Sequence, residues 1–125
     1  MKNHALNKWI IQRVSAVVLM PLLLFFLYSW VDLVNKDYTG ALDFFDNYLS
    51  IIIFTLFLIF AGLHLKLGLG EIIEDYIQDE RLKGVLNKII MLYSAVLPVV
   101  GIISLIIIIL WAPIQLLITN MMLLL

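Results

Sequence analysis

The residues best suited to chemistry are a histidine inside a long apolar run, His64, and an acid–tyrosine pair at the charged end of that run, Asp75-Tyr76. On a helix turning about 100° per residue, Asp75 returns to almost the same face as His64 after a rise of roughly 16 Å. Gly68, four positions after His64, removes the side chain that would cover that face beside the imidazole. This geometry suits a flat macrocycle held by an axial histidine, with a more polar site one membrane leaflet away.

The sequence is consistent with two interpretations of His64. Ionisable side chains at membrane depth are costly, rare and usually functional, and neutral imidazole is a common haem ligand. Haem b in membrane helix bundles commonly takes two histidines, and His4 on the amino-terminal arm cannot reach the level of His64. A second axial ligand would therefore come from another chain. The alternative is that His64 only packs between helices, hydrogen-bonded to a neighbouring span.

Two cations near this level also have open readings. Arg13 begins the first apolar run, where it is either an anchor whose charge extends to the interface or a partner for a haem propionate. Lys66 points about 200° away from His64. It either extends toward the charged side of the membrane or meets an acidic or lipid-phosphate group.

The pair Asp75-Tyr76 is either an ordinary wet helix end or part of a quinone site. A quinone that takes up two electrons and two protons needs a hydrogen-bond donor at a carbonyl oxygen and a proton path from water. A tyrosine hydroxyl is such a donor, and an adjacent carboxylate can orient a basic partner or relay protons. The phenylalanines of this run, Phe54, Phe57 and Phe60, are interpreted as packing residues.

The composition excludes several classes of function. Of 125 residues, 64% are hydrophobic and 14% charged, which is too apolar for a water-soluble domain of this size. The chain has no cysteine, so thiolate-ligated clusters would have to lie on another polypeptide. It also has no residue set for nucleophilic catalysis, no zinc motif and no nucleotide-binding loop. We expect no independent active site and no nucleic-acid partner.

The apolar runs predict an all-α membrane protein with three transmembrane helices in a single domain, 1–125. A bilayer requires about 20 apolar residues per helix. The predicted spans are 14–34, 49–73 and 87–112. The second run follows an acidic connection from Asp32 to Tyr48 and is expected to continue as helix through Tyr76 or a little further. The tail, 114–125, is about half a span long and is expected to lie along the interface or pack on a partner.

The distribution of Lys and Arg near the span ends predicts the orientation. The amino-terminal segment and the second connection each carry three such residues, the first connection one and the tail none. The amino terminus and the second connection are therefore expected on the cytoplasmic or matrix side. The residues counted are Lys2, Lys8, Arg13, Lys36, Arg81, Lys83 and Lys88.

Two motifs resemble the small membrane-anchor subunit, the D-type cytochrome b anchor, of succinate dehydrogenase (respiratory complex II). The first is the segment from Trp9 to Leu22, with a tryptophan, Gln12-Arg13, the small pair Ser15-Ala16, and Pro21. The second is the set His64, Gly68, Asp75 and Tyr76, at the spacing the family shows. With three spans and an inside amino end, the resemblance covers most of residues 9–112.

The resemblance implies a role for each of these residues. His64 matches the axial ligand of haem b, which is shared with the larger cytochrome b anchor subunit. Arg13 matches the arginine near the haem propionates, and Gly68 belongs to the haem environment. Tyr76 matches the tyrosine that hydrogen-bonds ubiquinone, with Asp75 beside it. Electrons from succinate would arrive through a flavoprotein subunit and an iron–sulfur subunit. The location implied is the mitochondrial inner membrane or the bacterial cytoplasmic membrane.

The sequence is also consistent with other functions. Within the family, the chain could be a haem-free quinone anchor or a fumarate reductase anchor. Outside it, His64 could conduct protons in a small channel or transporter subunit, although the spans lack the further acids and polar residues that a continuous relay needs. A structural three-helix assembly factor gives no reason for the shared face of His64, Gly68 and Asp75.

Overall fold

The structure is a computed structural model that describes residues 2–124, except the side chains of residues 2–5 and of Leu116. Three of the helices in this part of the chain are long and apolar enough to cross a membrane. This confirms the predicted all-α membrane protein with three membrane-length helices. The helices in chain order are α1 (Lys2–Val34), α2 (Tyr38–Asp46), α3 (Tyr48–Tyr76) and α4 (Glu80–Leu123).

Short polar side chains define where α3 and α4 begin. Asn47 Oδ1 accepts a hydrogen bond from the N–H of Leu49 at 2.9 Å, and Asp79 Oδ1 accepts one from Leu82 at 2.8 Å. Such caps satisfy amide groups that have no partner in the first turn of a helix. Helix α3 then runs without interruption to Tyr76. The prediction that His64 and Tyr76 share one helix is confirmed.

The acidic connection between the first two long helices contains a helix of its own, α2. The Asp37 carboxylate caps it by accepting the N–H of Gly40 at 2.9 Å. Helix α2 has a strongly apolar face, and Phe44 and Phe45 on it pack edge-on against Phe54 of α3. Phe57 stacks on Phe26 of α1 with ring centroids 4.5 Å apart. The interpretation of Phe54 and Phe57 as packing residues is confirmed.

Helix α4 extends well beyond the predicted third span. It has 44 residues, equivalent to about 66 Å, whereas the hydrocarbon core is about 30 Å thick. Pro98 and Pro113 both lie inside it. Proline is tolerated in membrane helices because neighbouring groups compensate for the lost hydrogen bond. The tail after Pro113 continues the same helix to Leu123, and its contact with the interface or a partner stays a prediction.

Helix α3 is the central element. It packs against α1 on one side and α4 on the other, whereas within residues 2–124 no Cα atom of α1 comes within 8 Å of a Cα atom of α4. The most buried polar side chains are serines: Ser15, Ser29, Ser50 and Ser94. Small residues allow close approach of helices in lipid, where apolar burial does not drive association. Many large apolar side chains are exposed on the outer surface of the helices.

Candidate functional site

The predicted ligand histidine faces α1. His64 is half-buried, and its Nδ1 lies 3.1 Å from the hydroxyl oxygen of Ser15. The Ser15 hydroxyl also contacts the backbone carbonyl of Gln12, one turn earlier in α1, at 2.8 Å. Ser15 is only 2% exposed, so this contact belongs to the packed interface between α1 and α3. The imidazole is thus held on one of its two nitrogens by the neighbouring helix.

The other ring nitrogen, Nε2, is accessible. The residues that the structure describes make no hydrogen bond to it, and they leave no buried side-chain nitrogen or oxygen unpaired. An unpaired Nε2 must therefore be reachable from outside the packed interior. A group outside the packed interior can therefore reach Nε2 and bind to His64 there.

A groove of about 330 Å³ lies between α1 and α3 at this level. His64 and Arg13 share it, so the structure brings two of the predicted site residues together. The Arg13 guanidinium lies 5.0 Å from the centre of the Trp9 ring, a cation–π contact that orients the charge. The lining residues are Trp9, Gln12, Arg13, Ala16, His64 and Glu71.

Gly68 leaves the surface of α3 open one turn beyond His64. A Cβ atom built on Gly68 would meet no atom of another helix within 4 Å among the residues that the structure describes. Packing between the described helices therefore does not require glycine at this position. The open backbone is consistent with the predicted flat ligand, whose binding to Gly68 stays a prediction.

Asp75 and Tyr76 lie at the end of α3, outside the groove that contains His64. Tyr76 is 79% exposed, and Asp75 is also exposed. Tyr76 follows His64 by twelve positions along the helix, a rise of about 18 Å. Beside the pair, Glu74 forms an ion pair with Lys83 at 3.3 Å, which connects the end of α3 to the start of α4. Within this chain the two predicted sites are separate.

Lys66 lies on the opposite side of α3. It lines a cavity of about 350 Å³ between α3 and α4, together with Gly62, Ser94 and Pro98. This placement agrees with the 200° offset expected from helical geometry. Lys66 makes no ion pair with any residue in the described part of the chain.

Sequence reasoning missed three residues near His64 as site candidates. Gln12 and Glu71 line the groove, and Ser15 contacts His64 within the packed interface of α1 and α3. Glu71 follows His64 by seven positions, so helical periodicity alone places it on the same face. Ser15 and Gln12 had no such signal, because their position beside His64 depends on how α1 is rotated against α3. Glu71 puts a carboxylate into the groove that contains Arg13.

Together these features define a multi-pass membrane protein with polar side chains gathered between α1 and α3. The family model for the succinate dehydrogenase/fumarate reductase transmembrane subunit matches residues 1–103. The chain belongs to this family, and the resemblance stated from the sequence is confirmed. The match includes the histidine groove and the end of α3, and membership implies association with other subunits of such a complex. No curated protein and no solved structure matches the chain.

Proposed function

We propose that this chain is the smaller membrane anchor subunit of a succinate:ubiquinone oxidoreductase. In this role it helps to bind haem b and forms part of the site at which ubiquinone is reduced. The observation that supports the proposal best is the groove shared by His64 and Arg13. It combines a potential iron ligand with a fixed cation between two membrane-length helices of a family member.

The residues of the groove fit a haem. His64 would ligate the iron through Nε2, its accessible nitrogen, and Arg13 would neutralise a propionate. The open backbone at Gly68 would accept the edge of the macrocycle. This chain offers one histidine at this level, so the larger cytochrome b anchor would supply the opposite ligand. Bound haem supplies a one-electron carrier within the membrane.

The quinone site would use the end of α3. The Tyr76 hydroxyl is free to donate a hydrogen bond to a quinone carbonyl oxygen, and its exposure leaves room for a partner subunit to complete the pocket. Asp75, adjacent and exposed, would orient a basic partner or relay protons from water. Electrons would reach this site from the iron–sulfur subunit, and the flavoprotein subunit would oxidise succinate.

The proposed orientation places this quinone site at the cytoplasmic or matrix side. The end of α3 and the beginning of α4 carry the Lys/Arg-rich connection, which the positive-inside rule assigns to that side. Soluble subunits that bring electrons from succinate would dock there. The chain would then act as a non-catalytic subunit of the enzyme, in the mitochondrial inner membrane or the bacterial cytoplasmic membrane.

The test is purification of the complex from membranes, followed by reduced-minus-oxidised optical spectra of the wild type and of His64→Ala. We expect a flavoprotein, an iron–sulfur protein and a second anchor to co-purify, with a b-type haem spectrum that His64→Ala removes or weakens. Leu69→Ala is the control, because it truncates an exposed residue of α3 that does not line the groove. An unchanged haem spectrum in His64→Ala would contradict ligation.

The direction of the reaction is tested in the same preparation. The family includes fumarate reductase subunits, so quinone reduction by succinate and fumarate reduction by quinol are both assayed. We expect quinone reduction by succinate to be faster than fumarate reduction by quinol. Faster fumarate reduction, or a complex that reduces quinone without haem, would replace the proposed function with the corresponding alternative.

A further inference from the structure

Two short contacts determine which nitrogen of His64 carries its hydrogen. The Ser15 hydroxyl oxygen is 2.8 Å from the carbonyl oxygen of Gln12 and 3.1 Å from Nδ1 of His64. A hydroxyl has one hydrogen to donate, whereas a backbone carbonyl has none. The hydrogen of Ser15 therefore goes to Gln12, and the Ser15 oxygen accepts a hydrogen bond from Nδ1–H. The direction of both bonds follows from this count.

This direction selects one tautomer of the imidazole. A neutral histidine that carries hydrogen on Nδ1 has its lone pair on Nε2. In the described part of the chain Nε2 has no hydrogen-bond partner and is accessible. The nitrogen prepared to coordinate a metal is thus the one that the packing leaves available.

We propose that Ser15 is a positioning residue, which holds the His64 ring in the orientation and tautomer needed to ligate haem iron through Nε2. The inference rests on the proposed haem-binding function and adds a residue of the neighbouring helix to it. Ser15 is 2% exposed, so no bulk water reaches the contact to replace its hydroxyl. Its bond to Gln12, three residues earlier, fixes the hydroxyl on the side facing His64.

Ser15 also affects how strongly the imidazole donates to iron. An acceptor on the far N–H of a ligating histidine raises the basicity of the ligand and fixes its orientation, and loss of such a group typically lowers metal affinity 10–100-fold. A more basic ligand stabilises ferric iron more than ferrous iron. Removal of the hydroxyl should therefore weaken haem binding and raise the midpoint potential. A tenfold greater loss of ferric than ferrous affinity corresponds to about 59 mV.

The experiment compares Ser15→Ala with the wild type in the intact purified complex. Three properties are measured: the haem-to-flavin ratio, the haem midpoint potential, and the highest g value of the ferric haem by electron paramagnetic resonance. We expect a more positive potential, a changed g value and haem that is lost more readily. Normalising to flavin restricts the measurement to assembled complexes.

Two further variants separate positioning from packing. Ser29→Ala makes the same change at an equally buried position of α1, far from His64, and should leave all three properties unchanged. Ser15→Thr keeps the hydroxyl, which in a helix can bond the carbonyl three or four residues earlier, and should restore wild-type values. If the extra methyl prevents assembly, Ser15→Cys keeps the volume with a weaker hydrogen-bonding group and should lie between Ser15→Ala and the wild type.

Failure of this inference can be told apart from failure of the proposed function. If haem is present, depends on His64 and is unaffected in Ser15→Ala, the role of Ser15 is wrong and the proposed function stands. Equal changes in Ser15→Ala and Ser29→Ala would likewise overturn the role of Ser15. If the wild-type complex contains no haem, the proposed haem function fails, and this inference fails with it.

Discussion

Gly62 of α3 lies directly against Pro98 of α4, at a separation that only glycine allows. A Cβ atom on Gly62 would stand 2.5 Å from Pro98 Cγ and 2.6 Å from the backbone oxygen of Ser94. Pro98 has no N–H, so the Ser94 carbonyl lacks its usual bond within the helix. Helix α3 therefore packs closely against the Ser94 carbonyl, which Pro98 leaves without its usual hydrogen bond.

We predict that Gly62→Ala destabilises the contact between α3 and α4. The added methyl group meets backbone and a rigid ring, neither of which can turn aside, and overpacking of this kind costs about 1–3 kcal/mol. Thermal unfolding of the purified complex should therefore begin at a lower temperature. Gly101→Ala is the matched control, because the three atoms nearest to its Cβ would all belong to the Leu58 side chain, the closest at 2.7 Å, and that side chain can change rotamer. Equal stability of the two variants would contradict the prediction.

A second prediction compares the effects of substitutions at Gly68 and Gly70 on haem content. In the described part of the chain, a Cβ on either glycine meets no atom of another helix within 4 Å, but only Gly68 lies on the His64 side of α3. We expect Gly68→Leu to lower the haem-to-flavin ratio and Gly70→Leu to leave it near the wild-type value, because only the first side chain would fill the space proposed for the macrocycle. Similar haem contents in both variants would argue against that placement.

A third prediction concerns the cation in the groove. Arg13→Gln removes the charge proposed to neutralise a haem propionate. Hydrogen bonds to charged groups contribute about 1.5–3 kcal/mol, so haem retention should fall roughly tenfold or more. The measurement is the loss of haem from the purified complex, either on dilution or by transfer to a haem-binding acceptor protein. Lys8→Gln makes the same charge change in α1 outside the groove and should have little effect.

A fourth prediction compares the two tyrosines at the ends of α3. Tyr48 begins the helix and Tyr76 ends it, and the two are 81% and 79% exposed. Tyr76→Phe should lower ubiquinone reduction and leave succinate oxidation by an artificial acceptor intact, because only the hydroxyl proposed to bind quinone is lost. Tyr48→Phe should leave both rates unchanged. Loss of both rates in Tyr76→Phe would indicate impaired assembly.

A fifth prediction concerns pH and the cap of α2. The N–H of Gly40 and the hydroxyl of Thr39 donate to the Asp37 carboxylate and lower its pKa below the ordinary value. Because the folded state favours the charged form, this contribution is present above about pH 4 and disappears as pH falls through the lowered pKa. The effect is small, since Asp37 is exposed to solvent. Asp37→Asn keeps a good cap that does not titrate.

The measurement for this cap is thermal stability of the complex between pH 3 and pH 6, values chosen to span the ordinary range for aspartate, about 3.9. Asp37→Asn should lose less stability at the acidic end than the wild type. Asp43→Asn makes the same substitution within α2, at an exposed position that does not cap the helix. Its thermal stability should depend on pH as that of the wild type does. Identical pH profiles for Asp37→Asn and the wild type would show that the cap does not contribute.

Much of the site could be placed along its own helix from the sequence. His64, Gly68, Asp75 and Tyr76 lie on α3 because an apolar run in lipid must satisfy its backbone hydrogen bonds internally, and a helix does so. Residue spacing then sets their angles and heights. The same reasoning could have included Glu71, which shares the face of His64, Gly68 and Asp75. The binding of haem and quinone at these residues stays a prediction.

The sequence by itself therefore determined the three membrane-length helices, the family and the positions of the candidate residues along each helix. Only the tertiary structure decided what lies across from them: Ser15 and Arg13 beside His64, Pro98 against Gly62, and Lys66 in a separate cavity. The physical reason is that lipid is as apolar as a leucine-rich helix surface. Hydropathy alone leaves the rotation and register of neighbouring helices open, and close packing of small residues with a few hydrogen bonds selects them.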